Sequence, residues 1–172
     1  MGEQLDLNEV MELHTERLLR VAFYYTKNIQ TAEDIVQDVF IKFYEVYEHY
    51  EERGELQAYL TRMTINKCKD YLRSWHYRKL QFLQKWTTAN QTDLLHNKIA
   101  KDEKAFLHEQ ILQLPIMNRE VIVYYYFEEM SLAEIAVLLN IPLSTVKTRM
   151  TRSRSLLKQK LSMCEWEGLY DE

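Results

Sequence analysis

A segment near the C-terminus carries short polar and basic side chains at the spacing of one helix face. On a helical projection, the outward side chains are Ser144, Lys147, Thr148, Thr151, Arg152 and Ser155. Hydroxyl, ammonium and guanidinium groups can donate to phosphates and base edges, and the small Ser and Thr side chains allow close approach. The pattern favours a helix lying in the major groove of DNA. The alternative is the exposed polar face of an ordinary core-packed helix.

The residues around this face predict the shape of a helix-turn-helix. Ser131-Leu-Ala-Glu134 is a capping box that opens a short helix to Leu139, and Asn140-Ile-Pro142 makes the turn into a helix reaching about Leu161. The predicted inward side chains of this last helix are Leu143, Val146, Met150, Leu157 and Leu161. Arg149 and Arg154 fall at its flanks, where phosphate contact and an intramolecular ion pair are equally open.

A second cationic surface lies on a predicted helix that runs from Leu56 to about Tyr77. The side chains Arg62, Asn66, Lys69 and Arg73 share one face, with Tyr59, Asp70 and Tyr77 at its edge. Cations interleaved with aromatic rings can hold a nucleic-acid backbone and stack unpaired bases. This surface suits single-stranded DNA, and a solvated face with rim aromatics is the alternative.

A third surface is an acidic strip on a long amphipathic helix that Thr31 is predicted to cap. Its polar side chains are Asp34, Gln37, Asp38, Glu45 and Glu48, with Ile41 among them. An apolar side chain inside an acidic strip favours docking of a basic helical partner. The opposite, core-facing side is formed by Ala32, Ile35, Val36, Val39, Phe40, Phe43, Val46, Tyr47 and Tyr50.

The charge distribution agrees with two nucleic-acid surfaces in an otherwise acidic protein. The formal net charge is −4, yet residues 59–86 and 147–160 each carry a net charge of +6. One basic island alone is commonly a solvated face, but two islands beside DNA-binding patterns favour nucleic-acid contact. The net negative charge should limit DNA binding by the free protein.

The remaining patterns predict an all-α protein of two small helical domains. Other helices are expected over Asn8–Thr26 and Asp102–Leu114, with Asn118 capping an apolar segment from Val121 to Phe127. Apolar periodicity fades between about Arg78 and Lys101. The expected divisions are an N-terminal bundle at 1–77, a flexible linker at 78–101, a helix-turn-helix domain at 102–163 and an acidic tail at 164–172.

Composition and spacing argue against enzyme chemistry. Three Gly and two Pro leave little material for phosphate-binding loops, and the five His residues form no metal-ligand spacing. We therefore expect no catalytic residue, metal, cofactor or small-molecule substrate. Cys68 and Cys164 are expected to be free thiols. The first residues lack a signal-peptide pattern, and no apolar run could span a membrane, so a cytoplasmic location is expected.

Three ordered motifs resemble those of bacterial sigma factors. Thr31–Phe40 (TAEDIVQDVF) is similar to the region-2 pattern AEDLVQEVF, Tyr59–Arg73 (YLTRMTINKCKDYLR) to WLxRIxxNxxxDxxR, and Ile141–Arg154 (IPLSTVKTRMTRSR) to the region-4 pattern IPxGTVKSRLxRAR. Tyr59 stands where the family has Trp, and Lys67 at a position that is often small or apolar. The compact two-domain length resembles the extracytoplasmic-function (ECF) group.

The resemblance implies a promoter-specificity subunit of RNA polymerase, in an envelope or stress response. It implies that the β′ clamp helices of core polymerase bind Asp34, Gln37, Asp38 and Ile41, and that the β flap is a further contact. It implies that the melted −10 element is captured by the loop Glu51–Gln57 together with Tyr59, Arg62, Asn66, Lys69 and Arg73. Recognition of the −35 duplex would fall on Ser144, Thr145, Lys147, Thr148, Arg149, Thr151 and Arg152. A membrane-bound anti-sigma factor is the implied inhibitor.

Two other readings remain open from the residues. A stand-alone helix-turn-helix regulator would bind a palindromic duplex without polymerase. A helical protein that titrates a regulator would tolerate replacement of Ser144, Lys147 and Arg152. The acidic strip argues against the first reading, and the two basic islands argue against the second.

Overall fold

In a computed structural model, the described residues are 6–47, 50, 55–74, 78–79 and 103–162. The helices within these ranges fall into two compact units. The N-terminal unit contains α1 (Leu7–Thr26), α2 (Ile29–Val46) and α3 (Leu56–Arg73). The C-terminal unit contains α4 (Glu103–Leu112), α5 (Ile116–Tyr126), α6 (Leu132–Leu139) and α7 (Leu143–Ser162). The prediction of an all-α fold is confirmed.

The three N-terminal helices pack on one another around a single hydrophobic core. Leu18 and Ala22 of α1, Phe43 of α2, and Leu60 and Cys68 of α3 are all buried in it. The predicted inner face of α2 is buried from Ala32 to Phe43, but Val46, the last residue of the helix, is 37% exposed. Burial of this apolar stripe holds the opposite face of α2 toward solvent.

The start of α2 differs from the prediction. Asn28, not Thr31, is the N-cap, and the Asn28 side-chain oxygen accepts a hydrogen bond from the Thr31 backbone N–H at 2.9 Å. Lys27 just before it adopts a left-handed conformation at φ 56° and ends α1. The two helices are therefore joined by a turn of two residues, and Thr31 lies in the first turn of α2.

The C-terminal unit has its own core, formed where α4, α5 and α6 pack on α7. Its fully buried side chains include Ile111, Tyr124, Ile135 and Val146. Leu143 is 39% exposed, so its predicted inward position is wrong: it is the first residue of α7 and precedes the buried stripe.

Capping in the C-terminal unit follows the prediction at α6 and departs from it at α5. Both hydrogen bonds of the Ser131–Glu134 capping box are present. Asn140 ends α6 in a left-handed conformation, at φ 53° and ψ 49°, which asparagine tolerates well. Asn118 does not cap α5, since that helix begins at Ile116 directly after Pro115. Its side-chain amide instead donates to the Ser153 hydroxyl on α7 at 3.1 Å.

Several predictions fall outside the described residues. These are Glu48 of the predicted acidic strip, most of the linker at 78–101, the tail at 164–172 and the loop residues 51–54. Residues 75–77 also lie outside them, and the third helix, predicted to run to about Tyr77, ends at Arg73 because Ser74 is extended. Among the helices of the described ranges, none combines the length and apolarity that a membrane span requires.

Candidate nucleic-acid and protein interfaces

The acidic strip of α2 is solvent-facing, as its spacing predicts. Asp34, Gln37, Asp38 and Glu45 are exposed, and Ile41, which lies between Asp38 and Glu45 on this face, is 61% exposed. An apolar side chain with this exposure loses contact with water when a partner covers it, and surrounding carboxylates favour a basic partner. The strip therefore has the chemistry of a protein-docking surface.

Tyr44 adds an aromatic side chain to the strip that the sequence reasoning missed. It is 63% exposed and lies three positions after Ile41, so the two side chains are neighbours on the helix surface. Tyrosine is enriched at protein interfaces because its ring buries a large area and its hydroxyl stays polar. The same helical projection that singled out Ile41 could have identified it.

An ion pair connects the strip to the neighbouring helix. The Lys67 ammonium on α3 lies 3.1 Å from a carboxylate oxygen of Asp38. The carboxylate of Asp38 is thus already in contact with a cation.

The basic face of α3 is only partly available to solvent. Arg62, Asn66 and Arg73 are exposed, whereas Lys69 is half-buried. Arg73 lies 3.8 Å from Asp70, and both side chains are more than two-thirds exposed. Because the four predicted residues recur every three or four positions, they line one side of α3 over about three turns.

Tyr59 has a packing role that its predicted place at the edge of this face did not indicate. Its ring centroid lies 5.3 Å from that of Tyr50 and 6.2 Å from that of Phe43, whose side chain is fully buried. This aromatic cluster attaches the start of α3 to the end of α2. Tyr59 is therefore half-buried.

The outward face of α7 is exposed along its length, as predicted. Ser144, Lys147, Thr148, Thr151 and Arg152 are all exposed, and Thr145 is half-buried. The Thr148 hydroxyl donates to the Ser144 carbonyl at 3.0 Å, and the Thr151 hydroxyl donates to the Lys147 carbonyl at 3.1 Å. These bonds leave the hydroxyl oxygens as acceptors for donors on a ligand.

Arg149 is engaged inside the C-terminal unit. Its guanidinium lies 2.8 Å from a carboxylate oxygen of Glu120 on α5, and the two side chains are 19% and 6% exposed. Of the two possibilities that the sequence leaves open for this residue, the structure forms the ion pair. Arg149 thus fastens α7 to α5, and its assignment as a DNA contact is not favoured by this geometry.

Within the described ranges, no group of three or more His, Cys, Asp or Glu side chains is placed to hold a metal ion. Cys68 is a free thiol in the N-terminal core, and burial raises its pKa to about 12. A thiol with such a pKa is a poor nucleophile near neutral pH.

Comparisons with known proteins agree with the motifs. A family model described as Sigma-70 region 2 matches residues 10–77, and one described as Sigma-70 region 4 matches residues 107–157. Together the two matches span more than half of the chain. The ECF RNA polymerase sigma factor SigW of Bacillus subtilis is 28% identical, over 93% of this chain and 91% of SigW.

Two solved structures share the fold. The sigma factor RpoE, in complex with the anti-sigma factor NepR from Bartonella quintana, matches with a TM-score of 0.69 and 19% identity, over 91% of this chain and 97% of RpoE. CnrH, in complex with the cytosolic domain of CnrY, matches with a TM-score of 0.65 and 23% identity, over 94% of this chain and 91% of CnrH.

Proposed function

This chain belongs to the sigma-70 family, as a sigma factor of the ECF type, and we propose a role for each of its exposed surfaces. As a sigma factor, it is the subunit that binds core RNA polymerase, recognises promoter elements and promotes strand opening. The observation that carries this conclusion is the ordered match to region 2 and region 4 along one chain. A lone helix-turn-helix would not distinguish a sigma factor from other DNA-binding proteins.

Polymerase docking is assigned to the acidic strip of α2. Its members Asp34, Gln37, Asp38 and Ile41 would bind the β′ clamp helices, with Tyr44 extending the contact. The support is an exposed apolar centre inside an acidic rim on a helix whose other side is held in the core. Carboxylates would steer the encounter, and burial of Ile41 would slow dissociation.

Capture of the melted −10 strand is assigned to α3 and the loop before it. Arg62, Asn66, Lys69 and Arg73 would follow the backbone of the unpaired strand, and the exposed part of Tyr59 would contact a base. The supporting observation is the placement of these side chains on one side of α3. Binding the open strand, and not the duplex, shifts the melting equilibrium toward the open promoter.

Recognition of the −35 duplex is assigned to α7. Ser144, Lys147, Thr148, Thr151 and Arg152 would face the major groove, with Thr145 beside them. Their exposure on a helix held by α5 and α6 supports this arrangement. The C-terminal unit would also contact the β flap. For the organisation of the chain we propose domains at 1–77 and 102–163, a flexible linker at 78–101 and an acidic tail at 164–172.

Sigma factors as a class are not enzymes, and we propose that core polymerase performs all the chemistry while this chain selects the start site in the cytoplasm. Inhibition by an anti-sigma factor is a further part of the proposal. It is supported by the two structural relatives, RpoE and CnrH, whose solved complexes contain NepR and the cytosolic domain of CnrY. A membrane-bound inhibitor would place the chain in an envelope or stress response.

The test is in vitro transcription with purified bacterial core polymerase and a pool of genomic promoter fragments. Wild-type protein should bind core and start specific transcripts. The double variant Asp34→Arg, Asp38→Arg should lose both, because it reverses two charges of the docking strip. The control is Glu12→Arg, Glu16→Arg, which reverses two exposed charges at the same spacing on α1.

Two outcomes would contradict the assignment. Equal loss in the α1 control would mean that net charge, and not the strip, determines core binding. Selection of a palindromic duplex by the chain alone, with no binding to core, would establish a stand-alone regulator instead.

A further inference from the structure

Arg154 of α7 is held by two tyrosines of α5. Its Nε–H donates to the Tyr126 hydroxyl at 3.1 Å. Its guanidinium carbon lies 5.6 Å from the ring centroid of Tyr125 and 5.8 Å from that of Tyr126. These distances are within the range of a cation–π interaction, which orients a guanidinium without removing its charge.

Arg154 lies at the border of the face that we assign to the −35 duplex. It follows Lys147 by seven residues, which is close to two helical turns, so both side chains project from the same side of α7. Both are exposed. In a helix that lies in the major groove, side chains at this border meet the sugar–phosphate backbone, whereas those at the centre meet base edges.

The two arginines at the flanks of α7 differ in their charge balance. Arg149 is paired with the buried carboxylate of Glu120, so that pair is close to neutral. Arg154 contacts two uncharged rings within the described residues and keeps its full positive charge. One flank of the helix is therefore neutralised, and the other presents an oriented cation.

We propose that Arg154 and Tyr126 together bind one backbone phosphate beside the −35 element, which deepens the proposed function and rests on it. The guanidinium supplies charge and donors beyond the Nε–H, and a planar fork of N–H groups matches phosphate oxygens. Tyr126 is 53% exposed, and while its oxygen accepts from Arg154 its O–H remains free to donate. The ring of Tyr125 is the second ring that holds the Arg154 guanidinium in place.

The test measures promoter binding by reconstituted holoenzyme over a series of salt concentrations. Arg154→Gln removes the charge and should lower the slope of log affinity against log salt by about 0.9, the value for one phosphate contact. From about 50 to about 200 mM salt, wild type should lose about threefold more affinity than this variant. Tyr126→Phe should weaken binding several-fold with an unchanged slope, because it removes a donor and no charge.

The control is Lys160→Gln, which removes a positive charge from the same helix at a side chain that donates to Gln113 at 2.9 Å. Its slope should equal that of wild type. A second measurement uses promoters in which single phosphates near the −35 element are replaced by uncharged methylphosphonates. One position should weaken wild type and have no effect on Arg154→Gln.

Each outcome decides between the possibilities. An unchanged slope and an unchanged methylphosphonate pattern in Arg154→Gln, with wild type binding normally, would overturn the phosphate site and leave the sigma function intact. Failure of wild-type holoenzyme to distinguish promoters with and without a −35 element would overturn both. Thermal unfolding of each variant separates loss of binding from loss of fold, and Tyr126→Phe provides the test if Arg154→Gln does not fold.

Discussion

Lys67 and Asp38 join the two functional helices of the N-terminal unit, with their charged atoms 3.1 Å apart. The pair links the α2 strip, assigned to polymerase, to the α3 helix, assigned to the −10 strand. Their side chains are 37% and 59% exposed, so water and salt screen the attraction. A cation of the polymerase that approaches Asp38 meets a carboxylate whose present partner is readily displaced.

The ion pair should therefore contribute little to folding. In a double-mutant cycle of Asp38→Asn and Lys67→Met, we expect a coupling free energy below about 1 kcal/mol by urea unfolding. Asp38→Asn should weaken binding to core polymerase, whereas Lys67→Met should not. A coupling well above that value, with parallel loss of core binding in both variants, would show that the pair is structural.

Arg149 should behave in the opposite way, as a folding residue. Arg149→Met removes the cation that balances Glu120, which is 6% exposed, and should lower the free energy of unfolding by about 3 kcal/mol. Adding Glu120→Gln should recover part of the loss, since it removes the buried charge. Chemical unfolding of the two variants measures both effects. Full stability of Arg149→Met, with reduced −35 binding, would instead assign Arg149 to DNA.

Substitution of Arg152 should weaken binding to the −35 duplex and leave the free energy of unfolding unchanged. Its side chain is exposed on the face assigned to the duplex. If it contacts a base edge, Arg152→Ala should weaken binding by about 1–3 kcal/mol and relax preference at one promoter position. Competition among −35 sequences by the holoenzyme checks this. A uniform loss across all sequences would indicate a phosphate contact in place of base recognition.

The capping box of α6 should make stability depend on pH in the acidic range. The Ser131 hydroxyl and backbone N–H both donate to the Glu134 carboxylate, at 2.7 and 2.8 Å, and these bonds lower the pKa of Glu134. Because the pKa is lower in the folded state, the stabilisation is present above the ordinary glutamate pKa and is lost as pH falls through the lowered value.

Glu134→Gln should accordingly reduce the acid-induced fall in the melting temperature. The same substitution at Glu109, an exposed carboxylate within α4, serves as the control. Parallel melting-temperature curves for wild type and Glu134→Gln between neutral and acidic pH would contradict the assignment.

Cys68 should be unreactive in the folded protein. With a pKa raised to about 12, only about one thiol in ten thousand is ionised at a pH of about 8. In a Cys164→Ser background, a disulfide reagent should label Cys68 rapidly in denaturant and very slowly without it. Rapid labelling under native conditions would show that the core around α3 opens readily.

The helices and their buried faces could be predicted from sequence because periodicity reports burial directly. The buried face of α2 between Ala32 and Phe43 and the exposed face of α7 are examples. The residue that caps each helix is harder to predict from sequence. Thr31 and Asn28 are both good caps, and the choice depends on Lys27 taking a left-handed conformation, which its residue type does not signal.

The sequence alone does not predict contacts between residues that lie far apart along the chain. The amide of Asn118 is used by Ser153, which lies on another helix, so a local pattern misread it as a cap. Arg149 shows the same limit, since its partner Glu120 lies 29 residues earlier. Tyr59 belongs to an aromatic cluster with Phe43 near the end of α2 and Tyr50 just after it.

The ion pair of Arg149 also bears on how promoter preference can diverge between lineages. A substitution at this position disturbs the attachment of α7 to α5, so selection for a folded chain acts on it before selection for any promoter does. Exposed positions such as Ser144, Thr148 and Arg152 carry no such constraint. Drift to new regulons should proceed through exposed positions of this kind, on a helix whose anchoring arginine stays the same.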